Sequence, residues 1–227
     1  MEATCGGSSM KHPATYTDSF IPIFAKLLSD RKTVLDPFAG TGKLGLIKNY
    51  GFAGQIWCNE LEPEWVTSSL HKVDKWVVGD ARDLSWAMGV DAICTSPTYG
   101  NRMADSHTAK DKSRRITYTH YIGRKLTDGN SGAMQWGEKY RNLHKDVWNE
   151  CWNVLSLNGL MIVNVSNHIR KGQEVDVVGW HEECLKNIGF KLAEHIKIKT
   201  PRMKVGQNFE KRILHESILV LSKGGNV

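Results

Sequence analysis

The sequence predicts an α/β fold in which seven strands form one mostly parallel sheet with helices on both faces. Three observations support this prediction. Short apolar runs alternate with helical patterns along most of the chain, as in parallel sheets with right-handed crossovers. The 227 residues are enough for one α/β core, and the sequence contains no internal repeat. The last two apolar runs flank a basic loop, which favours a closing hairpin.

A leading helix and the first strand open this pattern. Apolar residues recur at helical spacing between positions 20 and 28, and Thr17 or Asp18 can cap the helix that they predict. Residues 33–35 are apolar and β-branched, as in a strand that is covered on both faces. The glycines that follow allow a tight turn into a helix at 43–50. The rest of the prediction is organised around this strand, turn and helix.

Three more strands are expected before position 100. They are predicted at 55–58, 76–78 and 90–94. A helix that starts at Glu62 or Pro63 and runs to Lys72 separates the first two, because proline is favoured in the first turn of a helix. Polar residues follow each strand, which places them together at one edge of a parallel sheet.

The second half of the chain begins with a long segment, at about 100–136, that has no sustained periodicity. We predict a basic insertion there, because an irregular segment of this length in a compact domain is usually functional or disordered. The regular elements that follow are helices at 137–156 and 175–188 and strands at 160–163, 190–198 and 213–221. The last two strands are expected to form a hairpin around a basic loop at about 199–212. Residues 1–227 are therefore predicted to form one domain.

Composition narrows the class of protein. The chain is 41% hydrophobic and 24% charged, with a net charge of +6 that suits a polyanionic partner but is equally compatible with a solvated basic surface. Its 5 cysteines are scattered without a Cys-x-x-Cys pair, so neither a zinc site nor a disulfide framework is indicated. No apolar run approaches about 20 residues, and the N-terminus lacks the pattern of a signal peptide. These features favour a cytoplasmic protein with reduced thiols.

Acidic residues follow the first three predicted strands, at Asp36, Glu60 and Asp80. The carboxyl ends of parallel strands meet at one edge of the sheet, where open α/β folds bind ligands. Glu60 lies 20 residues beyond Gly40, a spacing at which an acid reaches the two hydroxyls of a ribose. Asp80 can accept a hydrogen bond from an adenine amino group. One acid at a strand end is more often a helix cap, but three in succession favour a shared nucleoside site.

The glycine turn after the first strand excludes two phosphate-binding motifs. It contains Gly40 and Gly42, with the next glycine at Gly45, so neither G-x-x-x-x-G-K-[ST] nor G-x-G-x-x-G is present. A lone Gly-x-Gly is equally compatible with an ordinary loop. The nature of the ligand therefore has to be inferred from the neighbouring segments.

Two motifs together resemble the motif pair of the exocyclic-amino DNA methyltransferases. They are Asp-Pro-Phe-Ala-Gly-Thr-Gly at 36–42 and Ser-Pro-Thr-Tyr at 96–99, after the fourth strand. The resemblance implies a Rossmann-like class I fold that uses S-adenosylmethionine (SAM) to methylate N6 of adenine or N4 of cytosine in DNA. The serine of the second motif is most similar to the N4-cytosine branch. The overall match resembles small methyltransferases carried by phages, which implies the cytoplasm of a bacterial or phage-infected cell.

The resemblance assigns most of the expected cofactor contacts, and the strand-end acids with the residues after them complete the set. The expected cofactor-binding residues are His12, Pro13, Asp36, Pro37, Phe38, Ala39, Gly40, Thr41, Gly42, Glu60, Leu61, Asp80 and Ala81. His12 and Pro13 belong to this set because the N-terminal segment of the family lies beside the methionine end of SAM.

The expected catalytic residues are Ser96, Pro97, Thr98 and Tyr99. An exocyclic amino nitrogen is a weak nucleophile because its lone pair is delocalised into the ring. The Ser96 hydroxyl and the Pro97 carbonyl can accept its hydrogens, and Tyr99 offers a flat face to a flipped base. The family has a second proline where this chain has Thr98, which keeps open a DNA-binding protein without catalysis. A further alternative is that Ser96 and Pro97 only end a strand.

The basic segments are expected to contact duplex DNA through phosphates, with the target base flipped out. The expected nucleic-acid-binding residues are Arg102, Lys112, Arg114, Arg115, Arg124, Lys125, Arg202 and Lys204. No separate target-recognition domain is predicted, so these loops must supply specificity. Asn164, Asn167 and His168 are further candidates for the base site, whereas the histidines are too dispersed to indicate a metal site. Structured RNA is the nearest alternative substrate.

Overall fold

The computed structural model describes residues 17–100, 118–200 and 209–224, with the side chains of His120 and Phe209 left out. Seven strands form one sheet, and two short strands form a separate hairpin. The strands are β1 (Thr33–Asp36), β2 (Gln55–Glu60), β3 (Lys75–Val78), β4 (Val90–Thr95), β5 (Leu155–Val165), β6 (His168–Arg170), β7 (Gln173–Val175), β8 (Lys191–Lys199) and β9 (His215–Ser222). The sheet order is β3-β2-β1-β4-β5-β9-β8, and β9 runs antiparallel to both of its neighbours. The predicted fold class is confirmed.

In the described residues, five α-helices and several 3-10 helices accompany the strands. The α-helices are α1 (Ile21–Leu27), α2 (Pro63–Thr67), α3 (Tyr118–Ile122), α4 (Glu138–Val154) and α5 (Val177–Ile188). The 3-10 helices are Asp18–Phe20, Lys43–Tyr50, Ser85–Ala87, Ser131–Ala133 and Phe209–Lys211. None of the helices in the described ranges combines the length and the apolarity needed to cross a membrane.

The structure differs from the predicted elements in five places, one of which is that α3 and the 3-10 helix Ser131–Ala133 lie within the segment predicted to be irregular. The segment Lys43–Tyr50 is a 3-10 helix, and α2 ends at Thr67 rather than at Lys72. At Gly45 in that 3-10 helix, an added Cβ would lie 2.7 Å from the Lys72 carbonyl oxygen, so the chain after α2 packs directly on the glycine. β5 begins five residues earlier than expected, and the hairpin of β6 and β7 was not predicted, because a strand of three residues is too short to show a hydrophobic period.

Both faces of the sheet are buried under helices. One core contains α1 and the 3-10 helix Lys43–Tyr50, and the other contains α4 and α5. Neighbouring residues of one strand point into different cores, as Ile162 and Met161 of β5 do. Because each central strand is covered on both sides, its sequence is a continuous apolar run rather than an alternating one.

The strand order fixes the position of the ligand-binding edge. β1 pairs in parallel with β2 on one side and with β4 on the other, so the crossover direction reverses at β1. Open α/β sheets bind ligands in the crevice outside the carboxyl ends of the strands at such a reversal. β9 enters the sheet antiparallel, so the start of β9 lies at the same edge as the ends of the other strands.

Candidate active site

A cavity of about 680 Å³ lies at the carboxyl edge of the sheet. Most of the residues predicted to act in cofactor binding or catalysis border it. They are Pro37, Phe38, Ala39, Gly40, Thr41, Glu60, Leu61, Asp80, Ala81, Ser96, Pro97, Thr98 and Tyr99. The ends of β1 to β4 therefore face one space. Its volume falls within the range of about 300–1,000 Å³ that is usual for small-molecule sites.

Among the described residues, two of those predicted to bind the cofactor, Asp36 and Gly42, are not part of the cavity wall. Asp36 is fully buried and accepts hydrogen bonds from the Phe38 amide (3.1 Å) and the Thr95 hydroxyl (2.6 Å). Gly42 has a φ of 71°, and a Cβ added there would lie 2.6 Å from the Trp76 ring. Asp36 supplies a buried acceptor for the backbone of the glycine turn, and Gly42 allows the turn to pack against Trp76 because it has no side chain.

Glu60 ties the glycine turn to the end of β2. Its buried carboxylate accepts hydrogen bonds from the Gly40 amide (2.8 Å) and the Glu62 amide (2.9 Å). Burial raises the pKa of Glu60 to about 7, although the two backbone N–H groups oppose this shift. Each carboxylate oxygen has a further lone pair, so Glu60 can also accept a hydroxyl hydrogen from a ligand in the cavity.

Asn59, the residue before Glu60 in β2, links the turns after β1 and β3 and was not predicted. Its Nδ2 atom donates to the carbonyls of Gly79 (2.9 Å) and Pro37 (3.4 Å), and its own carbonyl accepts from the Ala39 amide (3.1 Å). The turns after β1 and β3 are thus joined through one side chain of β2. Its place as a polar residue near the end of a buried strand was the signal that could have identified it.

Asp80 borders the cavity but is already engaged by a cation. The Arg82 Nε atom donates to Asp80 Oδ1 (3.0 Å), and the Arg82 amide donates to the same oxygen (2.9 Å). These bonds hold the pKa of Asp80 below its usual value. The sequence predicted that this carboxylate binds an adenine amino group. In the structure an amino group must share the carboxylate with Arg82.

The loop after β4 is connected to β5 and β9 by side chains. Ser96 Oγ donates to Asn164 Oδ1 (3.2 Å) and lies 3.4 Å from the Tyr99 hydroxyl oxygen. The Tyr99 hydroxyl donates to Glu216 Oε2 (3.0 Å), and Asn164 Nδ2 donates to the Ser217 carbonyl (3.3 Å). Asn164 is fully buried and Glu216 is 6% exposed. Ser96 therefore stands at one end of a short polar chain that leads to a buried carboxylate.

Thr98 is held by hydrogen bonds at its carbonyl and at its side-chain hydroxyl. Its carbonyl accepts from the Tyr140 hydroxyl, and its own hydroxyl donates to Ser131 Oγ (3.0 Å). The indole N–H of Trp148 donates to His181 Nδ1 (3.0 Å), so His181 carries its proton on Nε2 and donates it to the Tyr140 oxygen (3.0 Å). The Thr98 carbonyl is thus directed at α4. One of the two lone pairs of the Thr98 carbonyl is therefore used within the protein.

The segment after α3 folds over the start of α2. The fully buried carboxylate of Glu62 accepts from the Thr127 amide (2.7 Å), from Asn130 Nδ2 (2.8 Å) and from Arg124 Nη2 (2.7 Å). Arg124 also pairs with Glu64 through its Nη2 and Nε atoms (2.6 and 2.7 Å). These contacts bring residues 129–131 to the cavity wall. Arg124, predicted to bind nucleic acid, has its charge neutralised by two glutamates.

Most of the other residues predicted to contact nucleic acid lie outside the described residues. Lys125 is exposed on the segment that borders the cavity. The predicted nucleic-acid contacts outside the described residues are Arg102, Lys112, Arg114, Arg115, Arg202 and Lys204. The predicted cofactor residues His12 and Pro13 also lie outside the described residues. Arg212, the last residue of the basic loop predicted at 199–212, borders the cavity. In the described part of the chain, no three His, Cys, Asp or Glu side chains are grouped as metal ligands would be.

Two residues at the far wall of the cavity extend the candidate base site. His168, the first residue of β6, borders the cavity with both ring nitrogens buried and without a hydrogen-bond partner. Glu216, at the start of β9, borders it as well and was missed by the sequence analysis. The antiparallel direction of β9 is the signal for Glu216, because it places the first residues of that strand beside the last residues of the others.

Comparisons with solved structures show the fold. TrmN from Thermus thermophilus is 16% identical, with a TM-score of 0.54 over 89% of this chain and 49% of its own, so the chain spans about half the length of that protein. The N-methyltransferase NodS from Bradyrhizobium japonicum WM9, solved with S-adenosyl-L-homocysteine, is 11% identical, with a TM-score of 0.55 over 90% of this chain and 86% of its own. A methyltransferase from Pyrococcus furiosus is 14% identical, with a TM-score of 0.54 over 89% and 81%.

The sequence itself matches one family. The N6/N4 methyltransferase family, described as DNA methylase, matches residues 90–227, which is more than half of the chain. A comparison with curated proteins finds no match. The matched region contains the Ser-Pro-Thr-Tyr motif and the strands β4, β5, β8 and β9. The chain therefore belongs to the exocyclic-amino DNA methylase family and is a SAM-dependent methyltransferase with a Rossmann-like class I fold.

Proposed function

We propose that this protein transfers a methyl group from SAM to an exocyclic amino group of a flipped base in DNA, with N4 of cytosine favoured over N6 of adenine. One observation carries the proposal. Ser96, at the end of β4, borders the same cavity as Gly40, Glu60 and Asp80 at the ends of β1, β2 and β3. A cofactor held by the first three strand ends therefore lies within reach of a base held at the fourth.

The first three strand ends fit the adenosyl part of SAM. Glu60 is a buried acceptor at the cavity wall, suited to the two hydroxyls of a ribose. Gly40, with a φ of 54°, lets the backbone approach a ligand closely. Asp80 and Ala81 border the cavity where an adenine ring would lie in this arrangement. When bound, SAM supplies an electrophilic methyl group.

The fourth strand end fits the amino group of a base. Ser96 donates its own hydrogen to Asn164, so the lone pairs of Ser96 Oγ are free to accept from the amino group. The Pro97 carbonyl is a second acceptor on the same loop. The Tyr99 ring offers a stacking face, and stacking on an aromatic ring contributes about 1–3 kcal/mol per base. Bonding the amino hydrogens favours a pyramidal, nucleophilic nitrogen, and positioning supplies much of the acceleration.

A base inside a duplex cannot reach a cavity at the edge of this sheet, so the proposal includes base flipping. Phosphate contacts would come from the basic residues of the insertion and of the loop before β9, for example Lys125 and Arg212. The membership in a DNA methylase family supports DNA rather than RNA as the substrate. We place this activity in the cytoplasm of a bacterial or phage-infected cell.

A competition assay separates the two nucleic acids. The purified protein is incubated with tritiated-methyl SAM and a mixed-sequence DNA duplex, with structured RNA as the competitor. We expect methyl incorporation into DNA that excess unlabelled RNA does not suppress. Incorporation into RNA alone would assign the protein to RNA amino groups. SAM binding without incorporation into either polymer would favour a protein that has kept the fold and lost catalysis.

A further inference from the structure

A serine in the catalytic motif raises the question of where the proton goes. Methyl transfer forms an N–C bond as the C–S bond breaks, and the amino nitrogen then carries a positive charge and one hydrogen too many. A serine hydroxyl can accept that hydrogen only if it passes its own hydrogen onward, because it is a donor and an acceptor but not a strong base. An onward acceptor must therefore lie beside Ser96.

The structure contains an unbroken path from Ser96 to a carboxylate. Ser96 Oγ lies 3.4 Å from the Tyr99 hydroxyl oxygen, and either atom can donate. The Tyr99 hydroxyl donates to Glu216 Oε2 at 3.0 Å. Glu216 is 6% exposed and borders the cavity that holds Ser96. An ionised carboxylate is acceptor-only, so the path ends at a group that can keep a proton.

We infer that Glu216 is the terminal proton acceptor of the methyl transfer and that Tyr99 relays the proton from Ser96. This inference rests on the proposed function. The amino nitrogen gives one hydrogen to Ser96 Oγ, Ser96 gives its own hydrogen to the Tyr99 oxygen, and Tyr99 gives its hydrogen to Glu216. The nitrogen ends neutral and methylated, Ser96 and Tyr99 are unchanged, and Glu216 ends protonated.

The hydrogen-bond arrangement at rest and the one needed for the relay differ only in the direction of the Ser96 hydroxyl hydrogen. At rest Ser96 donates to Asn164 Oδ1 at 3.2 Å, and an amide oxygen cannot store a proton at neutral pH. Rotation of the Ser96 hydroxyl hydrogen from Asn164 to Tyr99 opens the path. The separation of 3.4 Å is longer than an ordinary O–H···O bond, and catalytic hydrogen bonds of this kind shorten when the substrate binds.

Glu216→Gln keeps the shape of the side chain and removes its capacity to take a proton. We expect the single-turnover rate of methyl transfer to fall about 100-fold, the lower end for loss of a general base, with KM for DNA and the affinity for SAM unchanged. Glu194→Gln is the matched control, because it removes the same charge from an exposed residue of β8. Tyr99→Phe keeps the stacking face, and in combination with Glu216→Gln it should add little further loss, since both changes interrupt one path.

Chemical rescue separates proton transfer from structure. In Glu216→Ala, formate should restore part of the single-turnover rate, whereas formamide, which has a similar shape and no charge, should not. Binding of SAM by calorimetry confirms that each variant is folded. An unchanged rate in Glu216→Gln, or equal rescue by formate and formamide, would overturn the relay while leaving the proposed function intact. A wild-type protein that methylates no amino group would overturn both.

Discussion

The two halves of the cavity wall are built in different ways. At the ends of β1 and β2, the polar side chains of Asp36, Asn59 and Glu60 bond mainly to backbone atoms of nearby turns. At the ends of β4 and β5 and the start of β9, side chains bond to one another, as Ser96 does to Asn164. The difference indicates that the proposed cofactor half is held in shape by its backbone, whereas the proposed base half depends on individual side chains.

This contrast predicts where single substitutions separate binding from catalysis. The largest effect is expected from Ser96→Ala, which removes the acceptor for the amino group and the start of the polar chain to Glu216. We expect turnover to fall about 100-fold or more, as for loss of a positioned acid–base group, while SAM binds normally. Methyl transfer is measured by single-turnover assay and SAM affinity by calorimetry. Turnover that survives this change would remove Ser96 from the mechanism.

The second largest effect is expected at Glu60 and depends on pH. Because burial raises the pKa of Glu60 to about 7, the carboxylate forms as the pH rises through that value. The affinity for SAM should therefore increase from about pH 6 to about pH 8 and then level off. Calorimetry across this range measures it, and Glu60→Gln should flatten the profile. A wild-type affinity that is independent of pH would show that Glu60 does not contact the cofactor.

The same shift in the pKa of Glu60 predicts a trend in stability. Between the ordinary value of 4.5 and about 7, the folded protein binds more protons than the unfolded chain. In the cofactor-free protein, the contribution of Glu60 to the free energy of unfolding should therefore be most favourable below about pH 4.5. It should decrease as the pH rises to about 7. Denaturant titrations of the wild type and of Glu60→Gln measure the free energy of unfolding of each protein at several pH values. The difference, wild type minus variant, should decrease as the pH rises from about 4.5 to about 7.

A smaller effect is expected from the hydrogen bonds behind the catalytic loop. Tyr140→Phe removes the hydroxyl that donates to the Thr98 carbonyl and accepts from His181. A buried acceptor left without a partner costs about 1–3 kcal/mol. We expect about a tenfold lower kcat with an unchanged KM for DNA, because the loop loses its fixed position and not its contacts with DNA. An unchanged kcat with a lower melting temperature would limit Tyr140 to a structural role.

The smallest effects separate two neighbouring cations. Arg124 is neutralised by Glu62 and Glu64, whereas Lys125 is exposed. We expect Lys125→Ala to lower the salt dependence of DNA binding by about one phosphate contact. Arg124→Ala should leave that dependence unchanged and reduce the stability of the segment that it anchors. Fluorescence anisotropy at several salt concentrations measures both, and a change in slope for Arg124→Ala would return that residue to the DNA interface.

Sequence reasoning reached the cofactor half more completely than the base half for a physical reason. The glycine turn and its acids follow consecutive strands, so a reader who recognises the strands can place Gly40, Glu60 and Asp80 at one edge. The sequence did not show that Asp36 and Gly42 lie behind the cavity wall, because a residue within a turn can face the protein as easily as the ligand. Only the fold decides which of the two occurs.

The base half required knowledge of the sheet order. Ser96 and Glu216 are 120 positions apart, and their proximity depends on β9 entering the sheet antiparallel beside β5. No local pattern contains that information. The bond between Tyr140 and the Thr98 carbonyl is equally non-local, because it depends on which face α4 turns toward the loop. Long-range contacts between single side chains were therefore the part of the site that the sequence could not predict.

The central claim is that a methyl group passes from SAM at the ends of β1, β2 and β3 to an amino nitrogen at the end of β4. It is tested by incubating DNA with the protein and SAM that carries a deuterated methyl group, followed by digestion and mass spectrometry of the nucleosides. We predict a labelled deoxycytidine methylated at N4, and none with Ser96→Ala. Label on a ring carbon, or only on ribonucleosides, would be incompatible with this arrangement of the site.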